Sequence, residues 1–254
     1  VTFVTSCLRF FSELCLHQPC LFSKMLRDSE MKTVHCRDCP EKSCAAAVLT
    51  PSELDRVSEN SREAVFHKGD IILHQGSMTS HIIYLKEGLV KEFQKGPGGV
   101  EQILQIVKRY SYLGLPSLFG DRVNNYSYAA LSEIKVCYID LRLFNDLVRQ
   151  NGGFAYEILV SISRDSLNNF HRFMSQAQKK TYGRVADALL YFSRYVFEDR
   201  TFELPFSRQE LAELIGISRE SATRVLTRFR EEGILAIDGR TIPVIRPELL
   251  QTFS

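Results

Sequence analysis

No apolar run in these 254 residues is long enough to span a bilayer. Absent too are a phosphate-loop glycine pattern, an H-E-x-x-H and a G-x-S-x-G, and there is no run of clustered His and Glu such as a cupin-type metalloenzyme needs on facing strands. No catalytic residue is therefore assigned, and an enzyme is not expected. Internal repeats and low-complexity segments are missing as well. A strong charge of either sign is also lacking, because 32 Lys and Arg against 30 Asp and Glu leave a net charge of +2. Any basic surface must be local. The opening stretch, VTFVTSCLRFFSELCLHQPCLFSKML, is apolar but interrupted by Arg9, Glu13 and His17, and it has no small-residue cleavage site. A secretory signal is not expected. The seven cysteines then do not read as a disulfide framework, and a cytoplasmic protein with no membrane partner is expected. The chain begins with Val and carries Met25 and Met31. Residues 1–30 are expected to come from an over-long reading frame, with Met31 the natural start.

What is present is ordinary in amount and informative in pattern. Forty-four per cent apolar and 24 per cent charged residues suit a globular chain of two modest domains. From Arg62 to Asp140 short β-rich runs alternate with glycine-bearing turns: Glu63–Phe66, Ile71–His74, Ile82–Leu85, Leu89–Gln94, Gln102–Val107, Tyr126–Leu131 and Lys135–Ile139. Strands at this spacing suggest a closed or nearly closed antiparallel barrel or jelly roll. A short helix opens before them at Pro51, with Thr50 as its cap. Leu141 to about Gln178 then reads as helix with a break at Gly152-Gly153. Beyond the break Leu159, Ile162, Ser166, Phe170, Phe173 and Ala177 recur at steps of three and four. That seam fits a two-stranded coiled coil, and equally an amphipathic helix on its own barrel. A further amphipathic helix runs from Tyr182 to Phe197.

The most specific stretch is Ser207 to Glu231, SRQELAELIGISRESATRVLTRFRE. Ser207 and Glu210 form a capping box, so a helix starts there. Gly216 supplies the positive φ that ends it, and Ser218 can cap the next. Leu211, Ala212, Ile215, Ile217, Ala222 and Val225 fall where two steeply crossing helices bury them, and a bulky side chain at Ala212 would hold the helices apart. Arg219, Glu220, Thr223, Arg224, Thr227 and Arg228 are left outward. This is the pattern of a helix-turn-helix, whose second helix lies in the major groove of DNA. An ordinary helical hairpin with a solvated face has the same local pattern. Five arginines against three glutamates in residues 207–230, with Lys179, Lys180 and Arg184 just before, make a mild basic concentration.

The Ser207–Glu231 stretch, including the S-R-E-S-x-x-R run from Ser218 to Arg224, resembles the recognition segment of the cAMP-receptor-protein/fumarate-nitrate-reduction-regulator (Crp/Fnr) family of bacterial transcription factors. The text from Gly233 to Ile242 resembles that family's wing hairpin, and the β-rich region its cyclic-nucleotide-binding-type roll. The implied fold is α+β: an N-terminal antiparallel β-roll, a long dimerisation helix and a C-terminal winged helix-turn-helix. The expected division is an extension at 1–35, a cysteine segment and sensory roll at 36–140, a dimerisation helix and hinge at 141–180, and a DNA-binding domain at 181–254. The resemblance implies a homodimer, with Leu159, Ile162, Phe170 and Phe173 in the helix seam, on an inverted repeat of TGA-type half-sites. An activator would also contact RNA polymerase. By the same resemblance Glu220 and Arg224 read bases, and Arg219 occupies the position of a second guanine-reading arginine. An arginine fork meets the two acceptors of guanine, and a carboxylate accepts from a cytosine or adenine amino group. Thr223, Ser207, Arg208, Ser218 and Ser221 are placed for phosphates or register, and Arg240 in the wing for a phosphate. The rival of a different class is a roll that binds an effector and regulates a protein partner, without DNA.

Cys7, Cys15 and Cys20 lie in the extension and are set aside. Cys36, Cys39 and Cys44 have C-x2-C-x4-C spacing, and Cys137 lies near the end of the roll. In the family's oxygen sensors a cysteine triplet and a cysteine at this place in the roll hold a [4Fe–4S] cluster, which needs four thiolates. The last gap here is four residues where those sensors have five. A zinc site with the same thiols and His35 is a second reading. A buried, inert Cys137 beside an incidental triplet is the third. Cyclic-AMP binders of the family carry a Gly-Glu-Leu run and an Arg-Ser pair; the corresponding text here is Gly114-Leu115-Pro116 and Tyr126-Ser127. A phosphate pocket without its arginine lacks its main partner, so cAMP is not expected. His67, His74 and His81 are spaced by seven across strands, which is no haem motif, and are read as surface or core histidines.

Overall fold

The computed structural model describes residues 32–253 other than Val34, Thr79, Pro97, Gly98 and Val100. The expectation about residues 1–30, with Cys7, Cys15 and Cys20, lies outside the described residues.

Two antiparallel sheets face each other as a roll. One has the order β1 (Lys32–Thr33), β2 (Ser61–Phe66), β9 (Ile134–Asp140), β4 (His81–Glu87), β7 (Ser111–Leu113). The other runs β3 (Ile71–Leu73), β8 (Ser127–Ala130), β5 (Leu89–Lys95), β6 (Glu101–Lys108). The central strands β4, β8 and β9 are buried along most of their length, as strands covered on both faces must be. Each of the seven expected runs is a strand, with ends shifted by a residue or two. The short β7 and the helical turn α3 (Leu115–Phe119) were not among the expected elements.

Helices α1 (Cys44–Ala47) and α2 (Pro51–Glu59) precede the roll, and α2 has a full capping box between Thr50 and Glu53. After the roll come α4 (Leu141–Gln150) and the long α5 (Gly152–Gln178). The break between them sits at Asn151, one residue before the glycine pair. Asn151 takes extended φ and ψ, and its side chain accepts from the Phe154 amide. The cap, not the glycines, ends one helix and starts the next.

The C-terminal region holds α6 (Thr181–Tyr191), continued by a π-helical turn at Phe192–Val196, then β10 (Thr201–Glu203), α7 (Arg208–Ile215), α8 (Arg219–Glu231), β11 (Thr241–Pro243) and α9 (Pro247–Phe253). Pairing of β10 with β11 and a bridge from Leu235 to Val244 form the wing. At Gly183 on α6 a Cβ would stand 2.6 Å from the Phe253 carbonyl oxygen, so only glycine lets α9 close on α6.

Two apolar cores divide the molecule. One gathers Ile82, Tyr84, Cys137, Phe144, Phe154 and Ile158, tying the β2–β9–β4–β7 sheet to α1, α2, α4 and the start of α5. The other runs without interruption from Phe93, Ile103 and Ile106 of the roll into Leu189, Phe206, Leu211, Ile215, Val225 and Phe229 of the C-terminal region.

Candidate functional site

The Ser207–Glu210 capping box, the turn and the Ser218 cap place the recognition helix. Ser207 Oγ accepts from the Glu210 amide at 3.2 Å, and Glu210 Oε2 accepts from the Ser207 amide at 2.9 Å. Gly216 ends α7 with φ of 66°, a conformation that costs a side-chain-bearing residue about 1 kcal/mol or more. Ser218 Oγ then accepts from the Ser221 amide at 3.2 Å and starts α8. Leu211, Ala212, Ile215, Ala222 and Val225 are all buried between the two helices, and Ile217 is partly so.

Arg219, Glu220, Thr223 and Arg224 are exposed on one side of α8, with Ser218 before them. Thr223 Oγ1 donates to the Arg219 carbonyl at 2.9 Å, one turn back. Arg224 Nη2 lies 3.5 Å from Ser221 Oγ and is otherwise free to extend. Arg228 is tied to Glu232 at 2.5 Å, on the same helix edge. Ser207 is exposed at the start of α7, and Arg240 is exposed in the wing. Arg208 departs from a simple phosphate-contact picture: it is half-buried, its Nη1 is buried with no hydrogen-bond partner among the described residues, and burial lowers its pKa.

Sequence reading missed the groups that hold the turn of the motif. The carbonyls that end α7 accept from three separate elements: Gln102 of β6 donates to Glu213, Gln176 of α5 to Leu214 at 2.9 Å, and Arg184 of α6 to Gly216 at 3.1 Å. Orphan carbonyls at a helix end need such donors. Arg184 also donates to the Lys179 carbonyl, and Lys179 pairs with Asp187 at 2.8 Å. Two cations that read as part of a basic concentration are thus internal ties. No local pattern marks them, because each partner is distant in sequence.

On α5 the seam residues Leu159, Phe170 and Phe173 are 59, 63 and 64 per cent exposed, as are Tyr156 and Leu167 to a similar degree. Ile162 differs, packing against the core of its own roll. Phe154, Ile158 and Ile162 therefore serve the barrel, while Leu159, Leu167, Phe170 and Phe173 leave apolar surface uncovered.

The cysteine segment lies over the sheet that carries Cys137. Cys137 on β9 has Glu63 and Tyr84 as its cross-strand neighbours, and Cys36 packs against the same core. Tyr84 Oη donates to the Glu41 carbonyl at 2.8 Å, Ser43 Oγ and Tyr112 Oη are 2.7 Å apart, and the Cys36 amide donates to Ser58 Oγ at 2.9 Å. Lys86 bridges Glu41 at 3.1 Å and Glu63 at 2.6 Å. Burial pushes the Cys137 thiol up to about 12, against the pull of Lys86, and burial raises Cys36 as well. Cys36 and Cys137 share one core, and with Cys39 and Cys44 of the same segment the thiols match the donor set of a thiolate-bound cluster in kind and number. Among the described residues, however, no three His, Cys, Asp or Glu side chains converge as a metal-binding group.

A cavity of about 600 Å³ lies between β6, α5 and α6, lined among others by Glu92, Gly114, Tyr128, Asp165, Arg172 and Tyr191. Its guanidinium comes from α5 rather than from the roll, and at Tyr126-Ser127 the roll contributes no arginine. Burial raises the carboxyl pKa values of Glu92 and Asp165 and lowers that of Arg172. Among the described residues no helix is long and apolar enough to cross a membrane.

Residues 63–151 match the cyclic nucleotide-binding domain and residues 183–253 the Crp-like helix-turn-helix domain. The chain is 24 per cent identical over 229 residues to the transcriptional activator protein FnrA of Stutzerimonas stutzeri, covering 88 per cent of this chain and 93 per cent of that one. It is 25 per cent identical over 219 residues to the fumarate and nitrate reduction regulatory protein of Vibrio cholerae, covering 84 and 87 per cent. FixK2 of Bradyrhizobium japonicum shares the fold with a TM-score of 0.71 at 18 per cent identity, over 76 per cent of this chain and 97 per cent of that one. A transcriptional regulator of the CRP/FNR family from Thermus thermophilus does so with a TM-score of 0.63 at 21 per cent identity, over 75 and 97 per cent. A roll and a helix-turn-helix, each matched in its own place along one chain, give one conclusion: the protein belongs to the Crp/Fnr family of transcription regulators and binds DNA through its helix-turn-helix.

Proposed function

We propose that the protein acts as a cytoplasmic homodimer that recognises an inverted repeat of TGA-type half-sites and has no catalytic role. Its working division is a cysteine segment and sensory roll at 36–140, a dimerisation helix and hinge at 141–180, and a DNA-binding domain at 181–254. The observation that carries this reading is the exposed face of α8, where Arg219, Glu220 and Arg224 stand outward on a helix whose other side is buried. Arg224 takes a guanine, Glu220 a neighbouring amino group, and Arg219 a second guanine. Thr223, Ser207, Ser218, Ser221 and Arg240 set register on the phosphates, with Arg208 joining them once uncovered. Leu159, Phe170 and Phe173 meet their counterparts across the two-fold axis, which spaces the two α8 helices by one turn of DNA. An activating member of this kind contacts RNA polymerase.

The signal is redox-linked. Cys36, Cys39, Cys44 and Cys137 would hold a [4Fe–4S] cluster, which supplies oxygen-sensitive redox chemistry when bound. The similarity to fumarate and nitrate reduction regulatory proteins supports this, as does the placing of the cysteine segment over the Cys137 sheet. A bound metal deprotonates a thiol outright, so the raised pKa values of Cys36 and Cys137 do not oppose it. Cyclic AMP is disfavoured because at Tyr126-Ser127 the roll offers its phosphate no arginine.

Titration of duplex DNA against salt tests the core of this reading. Phosphate contacts give log affinity a slope of about −0.9 per contact against log salt. Binding with no salt dependence, or none at all beside tight capture of a protein partner, would favour the rival effector-binding regulator.

A further inference from the structure

We propose that Lys86 is the positioning residue of the cysteine site: its ammonium fastens Glu41 of the cysteine segment to Glu63 of the roll, and so keeps that segment seated on the Cys137 sheet before any metal is bound. The inference rests on the metal-binding reading of the cysteines.

Apolar burial does little to seat the segment. Residues 35–44, HCRDCPEKSC, contain no Val, Leu, Ile, Met, Phe, Tyr or Trp, so little apolar surface leaves water when they dock. Polar groups of the sheet hold them instead. In cross-strand register Glu63 of β2 faces Cys137 of β9, Cys137 faces Tyr84 of β4, and Tyr84 faces Tyr112 of β7. Directly paired residues share one face of a sheet, so these four form a row across it. Every member other than Cys137 reaches the segment by a polar contact. Tyr84 Oη donates to the Glu41 carbonyl at 2.8 Å, Tyr112 Oη and Ser43 Oγ are 2.7 Å apart, and Glu63 is joined to Glu41 through Lys86.

Lys86 stands two residues beyond Tyr84 on β4 and is 6 per cent exposed. Its Nζ lies 2.6 Å from Glu63 Oε2 and 3.1 Å from Glu41 Oε2. The same Glu41 oxygen accepts from the Cys39 thiol, 3.6 Å away. One carboxylate oxygen thus joins a candidate ligand to a cation of the roll. A buried ion pair is weak ground for stability, because apolar residues of similar volume often serve as well. What the triad supplies is direction: it fixes a polar loop that has no side chain to bury. With Lys86 gone, two carboxylates drawn to one ammonium are left facing each other, and the segment lifts. Contacts that orient metal-ligating side chains in this way set metal affinity.

Two measurements on the full chain test this. The reduced, metal-free protein is labelled with a maleimide, and mass spectrometry reads the rate at Cys137, which is 7 per cent exposed. Titration with cobalt(II), followed by its thiolate charge-transfer absorption, reads the site itself. Lys86→Met breaks the triad from the roll. Glu41→Ala breaks it from the segment, outside the strands, and keeps the test valid if Lys86→Met fails to fold. Asp55→Ala is the comparison, because it breaks an exposed pair with Arg37 of the same segment. The expected result is Cys137 labelling about tenfold faster or more in Lys86→Met and Glu41→Ala, cobalt affinity about 10–100-fold weaker in both, and a double variant no worse than Lys86→Met. Asp55→Ala should behave as the wild type. Unchanged labelling in both triad variants would overturn the proposal, as would faster labelling with unchanged cobalt affinity, or an equal effect in Asp55→Ala. If the wild type takes up neither cobalt nor iron while labelling still accelerates in the variants, the seating contact stands; the metal-binding reading fails, and the positioning role fails with it.

Discussion

Glu210 Oε1 lies 2.9 Å from Lys91 Nζ across 119 residues of chain, while Oε2 of the same carboxylate accepts from the Ser207 amide at 2.9 Å. One side chain thus closes the capping box of α7 and fastens that helix to the roll. Burial works against the ionised form, but the Ser207 amide and Lys91 outweigh it and hold the Glu210 carboxyl below the usual range. Lys91 is raised in the same way, because Glu210 and Glu101 outweigh its burial.

The pH dependence follows from those two directions. A depressed carboxyl contributes stability above its unfolded pKa of about 4.3, and that stability is lost as pH falls through the folded value. Raised Lys91 contributes below its unfolded pKa of about 10.4 and loses its part only as pH climbs through the folded value. The roll–α7 contact is therefore complete near neutral pH and loosens in acid. Glu210→Gln keeps the cap, since glutamine also serves in a capping box, but loses the ion pair. The protection of the α7 amides relative to their intrinsic exchange rates, followed from about pH 7 to about pH 4, should fall in the wild type and start low and stay flat in Glu210→Gln.

Arg224→Ala should remove most sequence preference, at about 1–3 kcal/mol per half-site, with little change in thermal stability because the side chain is exposed. Competition between operator and scrambled duplex measures it. Wild-type discrimination in the variant would refute the assignment.

Ala212 is 1 per cent exposed between α7 and α8. Ala212→Leu should overpack that crossing and destabilise the protein by about 1–3 kcal/mol. Denaturant unfolding reads the loss, and operator binding should weaken with it as the two helices are forced apart.

Phe170 and Phe173 leave 63 and 64 per cent of their surface uncovered, which makes them safe to change without damage to the roll. The double variant Phe170→Asp, Phe173→Asp should sediment as a monomer and lose operator affinity, yet keep its unfolding midpoint at high dilution. Ile162→Asp should instead lower that midpoint, because Ile162 packs on its own roll.

Oxygen-free purification should yield a coloured protein with iron and sulfide, and Cys137→Ala should lose both. Colourless, iron-free wild-type protein would remove the cluster. Zinc in its place, lost in the Cys36 and Cys39 variants, would identify a metal site of the other kind.

Legibility in the sequence tracked the range of the interactions. The Ser207–Glu210 box, the Gly216 turn and the Ser218 cap act over three or four residues, so their signals lie side by side in the text and each has its predicted geometry. Runs such as Leu89–Gln94 and Lys135–Ile139 are legible as strands because apolar, β-branched and aromatic residues crowd between glycine turns. Tyr112 in the three-residue β7 has no such run, and its strand exists only through pairing with Tyr84. The helix break fell at Asn151 because a side-chain cap outweighed the weak helix propensity of two glycines. C-x2-C-x4-C spacing says that three thiols can meet, but it cannot say over which strand they lie.

The amino-acid sequence by itself determined the helix-turn-helix, the outward arginines of α8 and the β-rich roll, since caps, turns and periodicity are properties of neighbouring residues. Only the tertiary structure decided that Lys91 and Gln102 grip α7, that Arg208 is half-buried, and that Cys36 shares a core with Cys137. Those relations join residues from different elements, and they arise when two faces pack and desolvate each other, which no local pattern encodes.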